Sequence, residues 1–168
     1  LFVTLLIISC NTSLNKDGKK PNIIIIYTDD LGYGDVSAYK KGTLKTPNID
    51  KLANEGIRFN HGYASSATCS PSRYALLTGN YPWRKDGLRV ITGGSLVIDT
   101  TEMTIPKLLK NKGYQTGIVG KWHLGLGSGD GVTGSGIIDY NSTISPGPNQ
   151  VGFDYSHIIA DTQDRVPT

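Results

Sequence analysis

A chain of 168 residues, 38% apolar and 18% charged, can bury one domain-sized core and is neither disordered nor fibrous in composition. Its net charge of +3 is mostly local: in residues 1–20, Lys16, Lys19 and Lys20 stand against Asp17, a net +2 that leaves +1 for the remainder. No basic run is interleaved with aromatics, so no nucleic acid partner is expected. The two cysteines, Cys10 and Cys69, sit in separate motifs, and a disulfide between them, though allowed by the count, is not expected.

Leu1 to Ile8 (LFVTLLII) is an apolar run far short of the ~20 residues that cross a bilayer. It reads as the tail of a signal-peptide apolar region. Ile7-Ile8-Ser9-Cys10 resembles a bacterial lipobox, in which the cysteine is lipidated and becomes the mature N-terminus. Without an initiator Met or a basic leader, the chain reads as clipped at its start. Asn11 to Lys20 is polar and aperiodic, as a tether would be. The expected division is residues 1–9 as signal remnant, 10–20 as lipidated Cys10 and tether, and 21–168 as folded domain. The expected location is the bacterial cell envelope, as a periplasmic or outer-membrane lipoprotein touching membrane only through its lipid.

Ile23 to Tyr27 is a continuous β-branched run, predicting a strand buried on both faces of a parallel sheet. Thr46-Pro47 opens a helix with an apolar face of Ile49, Leu52 and Ala53, and Gly56 ends it. Ile57 to Tyr63 predicts a second strand. Ser70-Pro71 starts a helix that runs to about Thr78 before Gly79. Thr104 to Lys112 predicts a third helix, with Pro106 near its start and Gly113 past its end. Tyr114 to Gly120 predicts a third strand. The alternation gives an α/β class. Gly125 to Pro148, rich in Gly, Ser and Thr, predicts a long surface loop or a loop with a short hairpin.

Three spots carry chemistry. Asp29 and Asp30 follow the first strand, at the carboxyl end where α/β sheets gather ligands. Two adjacent carboxylates repel unless a cation lies between them, and such oxygen donors suit Ca²⁺ or Mg²⁺. A turn with one capping aspartate is the plainer reading of the pair. Cys69 stands just ahead of a predicted helix N-terminus, where unpaired N–H groups favour negative charge. Arg73 follows one turn later on the same face. The cysteine reads as inert and buried, as a thiolate nucleophile, or as a modification signal. A cysteine-phosphatase loop spaces Cys and Arg more widely. Lys121 and His123 share one face if the last strand extends to them, with Trp122 on the other. A cation and an imidazole converging there suit an anionic ester such as a sulfate, against a solvated lysine and a satisfied surface histidine. His61 reads as structural, and His157 receives no role.

Cys69-Ser70-Pro71-Ser72-Arg73, continued by Tyr74-Ala75-Leu76-Leu77-Thr78-Gly79, resembles the signature of the formylglycine-dependent sulfatases of the alkaline phosphatase superfamily. Gly120-Lys121-Trp122-His123-Leu124-Gly125 resembles a second block of that family. The blocks at 21–35 and 46–59 also match, and the closing stretches at 152–155 and 164–167 look like an arylsulfatase-like bacterial branch. The resemblance implies an alkaline-phosphatase-like fold: a mixed, largely parallel sheet between helices, incomplete in this chain, plus a smaller C-terminal domain. It implies a formylglycine made from Cys69 by a formylglycine-generating enzyme. Asp29, Asp30 and residue 69 would bind a divalent cation, Ca²⁺ ahead of Mg²⁺. Arg73 would hold the formylglycine, Lys121 the sulfate and His123 a formylglycine hydroxyl. In the implied reaction the hydrated aldehyde attacks sulfur through one hydroxyl, and the other then drives out sulfate.

The family's later metal ligands, second histidine and second lysine have no counterpart here, so the 168-residue chain alone is expected to be inactive and to fold poorly. The implied activity is sulfuric ester hydrolysis, with a sulfated glycan among the candidate substrates. Two rivals stand beside it: a phosphodiester or phosphonate monoester hydrolase of the same superfamily, and a non-catalytic lipoprotein that binds sulfated glycans.

Overall fold

The computed structural model describes residues 19–40, 42, 44–90, 93–128, 138 and 140–161. The lipobox at Cys10, the middle of the Gly-rich loop and the block at 164–167 lie outside the described residues. The architecture is α/β. Helices α1 (Pro47–Glu55), α2 (Cys69–Thr78) and α3 (Ile105–Lys110) precede strands β1 (Gly117–Lys121) and β2 (Tyr155–Ile159), with 3-10 turns at Tyr33–Asp35 and Pro82–Arg84. The strands pair in parallel, Gly117 opposite Tyr155 and Lys121 opposite Ile159. The pairing outlasts the strands, because Trp122 and His123 donate backbone N–H groups to Ile159 and Ala160 at 2.9 and 2.8 Å. No helix among the described residues is long and apolar enough to cross a membrane.

Local chemistry explains the helix ends. Pro47 supplies the fixed φ of a first helical turn, and the side chain of Thr46 turns outward to Ser37 and Asp50 instead of capping the helix. Helix α2 begins two residues earlier than a cap at Ser70 suggests, so Cys69 is its first residue and Thr68 its flank. Gly79, at φ 71°, closes it in the left-handed conformation and returns its N–H to Ala75. Thr104 caps α3 through Lys107, and its hydroxyl also donates to the Val151 carbonyl.

Much of the core lies in the segments around β1 rather than on the sheet itself. Trp122, Leu124, Leu126, Val151 and Phe153 pack with Leu96, Val97, Ile98 and Tyr74. Trp122 meets Phe153 edge to face at 6.5 Å and donates its indole N–H to the Gly125 carbonyl at 2.7 Å. Its full burial is worth roughly 1.5–3 kcal/mol before packing terms are added. Residues 94–97 lie along 124–127, with Val97 N–H to Leu124 O and Leu126 N–H to Gly94 O, both 2.9 Å. The start of the Gly-rich stretch is therefore interior, not a surface loop as the composition suggests. Burial follows from Leu124 and Leu126, which flank Gly125.

Three other expectations need correction. Residues 23–27 form no strand or helix, and Ile24 and Ile26 are 83% and 77% exposed. A strand buried on both faces needs ladder partners and covering helices, and the described residues supply neither. Residues 57–63 likewise form no strand, with Ile57 82% and Tyr63 87% exposed. The apolar face of α1 is real in pattern but uncovered, Leu52 being 63% exposed. The strand expected at 114–120 forms as β1, shifted toward the Lys121 end, and β2 was not foreseen at all.

Two contacts give predictions. Gly125 has φ 74°, and a Cβ there would stand 1.9 Å from the Ser95 carbonyl oxygen. Gly125→Ala should lower whole-protein stability by more than about 1 kcal/mol in urea denaturation, and an unchanged midpoint would refute the packing. Asp154 pairs with Lys110 at 2.7 Å and accepts from the Thr116 backbone at 2.9 Å, joining α3 to β1. The Lys110 bond, helped by Thr116, holds the Asp154 carboxyl below the ordinary 3.8. Its contribution is therefore present above pH 3.8 and lost as pH falls through the lower folded value. The stability gap between wild type and Asp154→Asn should narrow on acidification through that range, and a gap constant with pH would contradict the pairing.

Candidate active site

Three elements converge on one spot. The run 23–27 leads to Asp29, α2 begins at Cys69 and carries Arg73 one turn later, and β1 ends on Lys121. Lys121 Nζ lies 3.3 Å from Cys69 Sγ and donates to Asp29 Oδ2. The Arg73 guanidinium lies 3.6 Å from the other Asp29 oxygen and donates to the Lys121 carbonyl at 2.8 Å. Four of the six residues singled out from sequence thus form one connected cluster.

The other two stand differently. Asp30 is exposed, with φ 53°, and no hydrogen bond or ion pair joins it to the cluster among the described residues. His123 is wholly buried, and its φ of 54° breaks the strand alternation that would have set it on the face of Lys121. His61 and His157 are both exposed, in a turn and on β2. Sequence reasoning passed over Tyr27 and Ser72. The Tyr27 hydroxyl bonds the Ser72 hydroxyl, and the Arg73 guanidinium sits 5.5 Å from the Tyr27 ring centre. A lone aromatic closing an isoleucine run two residues before Asp29 was the available signal.

The electrostatics are those of a carboxylate between two cations. The hydrogen bond from Lys121 lowers the Asp29 pKa most; burial opposes it, and the charges of Lys121 and Arg73 add to the lowering. For Lys121, burial is the largest influence and works downward, but hydrogen bonds to Asp29 and Cys69 outweigh it and leave the ammonium above its ordinary value. Cys69 is free, and at the first position of α2 it faces the positive end of the helix dipole.

As a metal site the cluster fits in kind. Asp29, held ionised, and the neighbouring Asp30 are hard oxygen donors of the type Ca²⁺ and Mg²⁺ prefer. Among the described residues no three His, Cys, Asp or Glu side chains converge, so these two would supply at most part of a coordination shell.

The sulfatase family model matches residues 21–164. The chain belongs to the sulfatase family. It is 48% identical over 167 residues to an N-acetylgalactosamine-6-O-sulfatase of Bacteroides thetaiotaomicron, covering 96% of this chain and 32% of that protein. It is 45% identical over 114 residues to human steryl-sulfatase, covering 64% of this chain and 20% of that one. The chain thus spans about a third or less of the length of these sulfatases. A solved B. thetaiotaomicron structure, described in connection with the metabolism of multiple glycosaminoglycans, superposes with a TM-score of 0.81 at 50% identity, over 88% of this chain and 30% of that one. Ps i-CgsB gives 0.65 at 38% identity, over 83% and 28%. With sulfatases as its structural neighbours, the chain carries part of the alkaline-phosphatase-like fold expected from its motifs.

The charge balance around this sulfatase cluster can be checked directly. In Asp29→Asn the Lys121 ammonium loses its counter-ion, so its titration, followed by NMR of ¹³C-methylated lysines in the whole protein, should move down from above 10.5. An unmoved Lys121 resonance would show that Asp29 does not hold its charge.

Proposed function

We propose that the whole protein is a sulfuric ester hydrolase whose nucleophile is a formylglycine made from Cys69 by a formylglycine-generating enzyme. The observation that carries this reading is the placing of the Lys121 ammonium 3.3 Å from Cys69, on a carboxylate that Arg73 also faces. A sulfate ester brings three oxygens, and displacement of its alcohol puts charge on them. Lys121 offsets that charge as a point cation, already oriented and mostly withdrawn from water. Arg73 holds the oxygen of residue 69 in line, with one of its donors on the Lys121 carbonyl. For His123 a hydrogen bond or a proton at residue 69 rests on the family's motif alone, since its backbone turn takes it off the face of Lys121. Asp29 and Asp30 would hold a divalent cation, Ca²⁺ ahead of Mg²⁺, which when bound supplies Lewis-acid neutralisation of oxygen charge.

The substrate class proposed is a sulfated glycan. The name of the B. thetaiotaomicron relative supports a 6-O-sulfated N-acetylgalactosamine unit. Cys10, in its lipobox-like setting, supports an envelope lipoprotein held to membrane by lipid alone.

The test is to produce the whole protein with a formylglycine-generating enzyme, weigh the peptide containing Cys69, and assay aryl sulfate beside aryl phosphate. An aldehyde or its hydrate at position 69, with sulfate turnover ahead of phosphate, is the expected result. An intact thiol without turnover would favour a sulfated-glycan binder, and phosphate ahead of sulfate would favour the phosphoesterase rival. Lys121→Ala should lower kcat/KM for aryl sulfate by about 10²–10³-fold, and a change within threefold would remove Lys121 from the chemistry.

A further inference from the structure

Arg73 is under-held in its own plane. Of its donors, one reaches the Lys121 carbonyl at 2.8 Å. Another stands 3.6 Å from Asp29, too far for a direct hydrogen bond. Its buried Nε has no partner among the described residues. What restrains the guanidinium out of plane is the ring of Tyr27, 5.5 Å from its centre. That ring is itself pinned, because its hydroxyl bonds Ser72, a buried residue adjacent to Arg73 on α2.

We propose that Tyr27 is a positioning residue that seats Arg73 against residue 69, an inference that rests on the sulfatase reading of this site. Tyr27 grips two consecutive residues of α2 through different chemistry, a hydroxyl on Ser72 and a π-face on Arg73. A ring held only by its face could slide along the guanidinium, and one held only by its hydroxyl could swing away from it. Together the two contacts fix both the height and the tilt of the ring. Tyr27 also precedes Asp29 by two residues, so the same clamp sets where this segment presents its carboxylate to Lys121 and Arg73. No hydrogen bond or ring contact joins Tyr27 to residue 69 among the described residues, so its effect passes through Arg73.

The experiment uses the whole protein, matured at position 69, with an aryl sulfate as probe. Tyr27→Leu removes both contacts, while Tyr27→Phe removes the hydroxyl and keeps the ring. Ser72→Ala removes the same hydrogen bond from the other side. Tyr27→Leu should lower kcat by about 10–100-fold with KM changed less than about threefold, the mark of a misaligned group rather than a lost binding contact. Tyr27→Phe should recover most of that loss, staying within about fivefold of wild type. Ser72→Ala should match Tyr27→Phe, and the double variant should be no worse than either. Denaturation midpoints recorded alongside separate misalignment from unfolding. A folded Tyr27→Leu protein with wild-type kcat, or a loss that only tracks the folded fraction, overturns the proposal. Should Tyr27→Leu not fold, the Phe and Ala variants decide, and additive losses overturn it. A wild type that turns over no sulfate ester defeats the sulfatase reading, and this role with it, whereas an active wild type with indifferent Tyr27 variants defeats this role alone.

Discussion

The carboxylate of Asp29, shared between Lys121 and Arg73, sits where three separate segments of the chain meet. It belongs to a segment without ladder partners among the described residues, Arg73 to a helix, and Lys121 to the end of β1. Two cations brought together without an anion would repel, and a half-exposed carboxylate without cations would prefer water. The triad resolves both, and it leaves Cys69 beside an ammonium at the start of α2. Any one such ion pair is weak when solvated, but Arg73 and Lys121 are mostly withdrawn from solvent, so their geometry is set by protein groups. Such preorganisation is what the proposed electrostatic role of these residues calls for.

How much of this was legible in the sequence depends on whether the signal was local. Helix positions were, with ends within about two residues, because Pro47, Pro106, Gly56 and Gly79 lie at or beside helix ends, although α3 stops at Lys110, short of Gly113. The gathering of four candidate residues was, because Cys69 and Arg73 share a helical turn and Asp29 and Lys121 follow strand-like runs. The conformation of His123 was not, since a positive φ at a non-glycine residue is imposed by what surrounds it. Nor was Tyr27, whose role depends on a helix more than forty positions away.

Strands divided the same way. A parallel strand exists only through its neighbours, so residues 23–27 and 57–63 carry strand-like sequence without strand structure here. β1 and β2 form because each finds the other. β2 escaped notice for a related reason: Tyr155 to Ile159 alternates only weakly in hydrophobicity, and the ladder with β1 supplies what the pattern lacks.

The uncovered isoleucines at 23–26 bear on how such a protein must be made. Four consecutive β-branched residues with no charge and no proline inside the run form the kind of segment that pairs with copies of itself. They lie early in the chain, so they leave the ribosome long before the Lys121 end of β1 is synthesised. Any delay in covering them favours intermolecular pairing over folding. Early covering of this run therefore bears on solubility during synthesis, before the polar surface of the finished molecule exists.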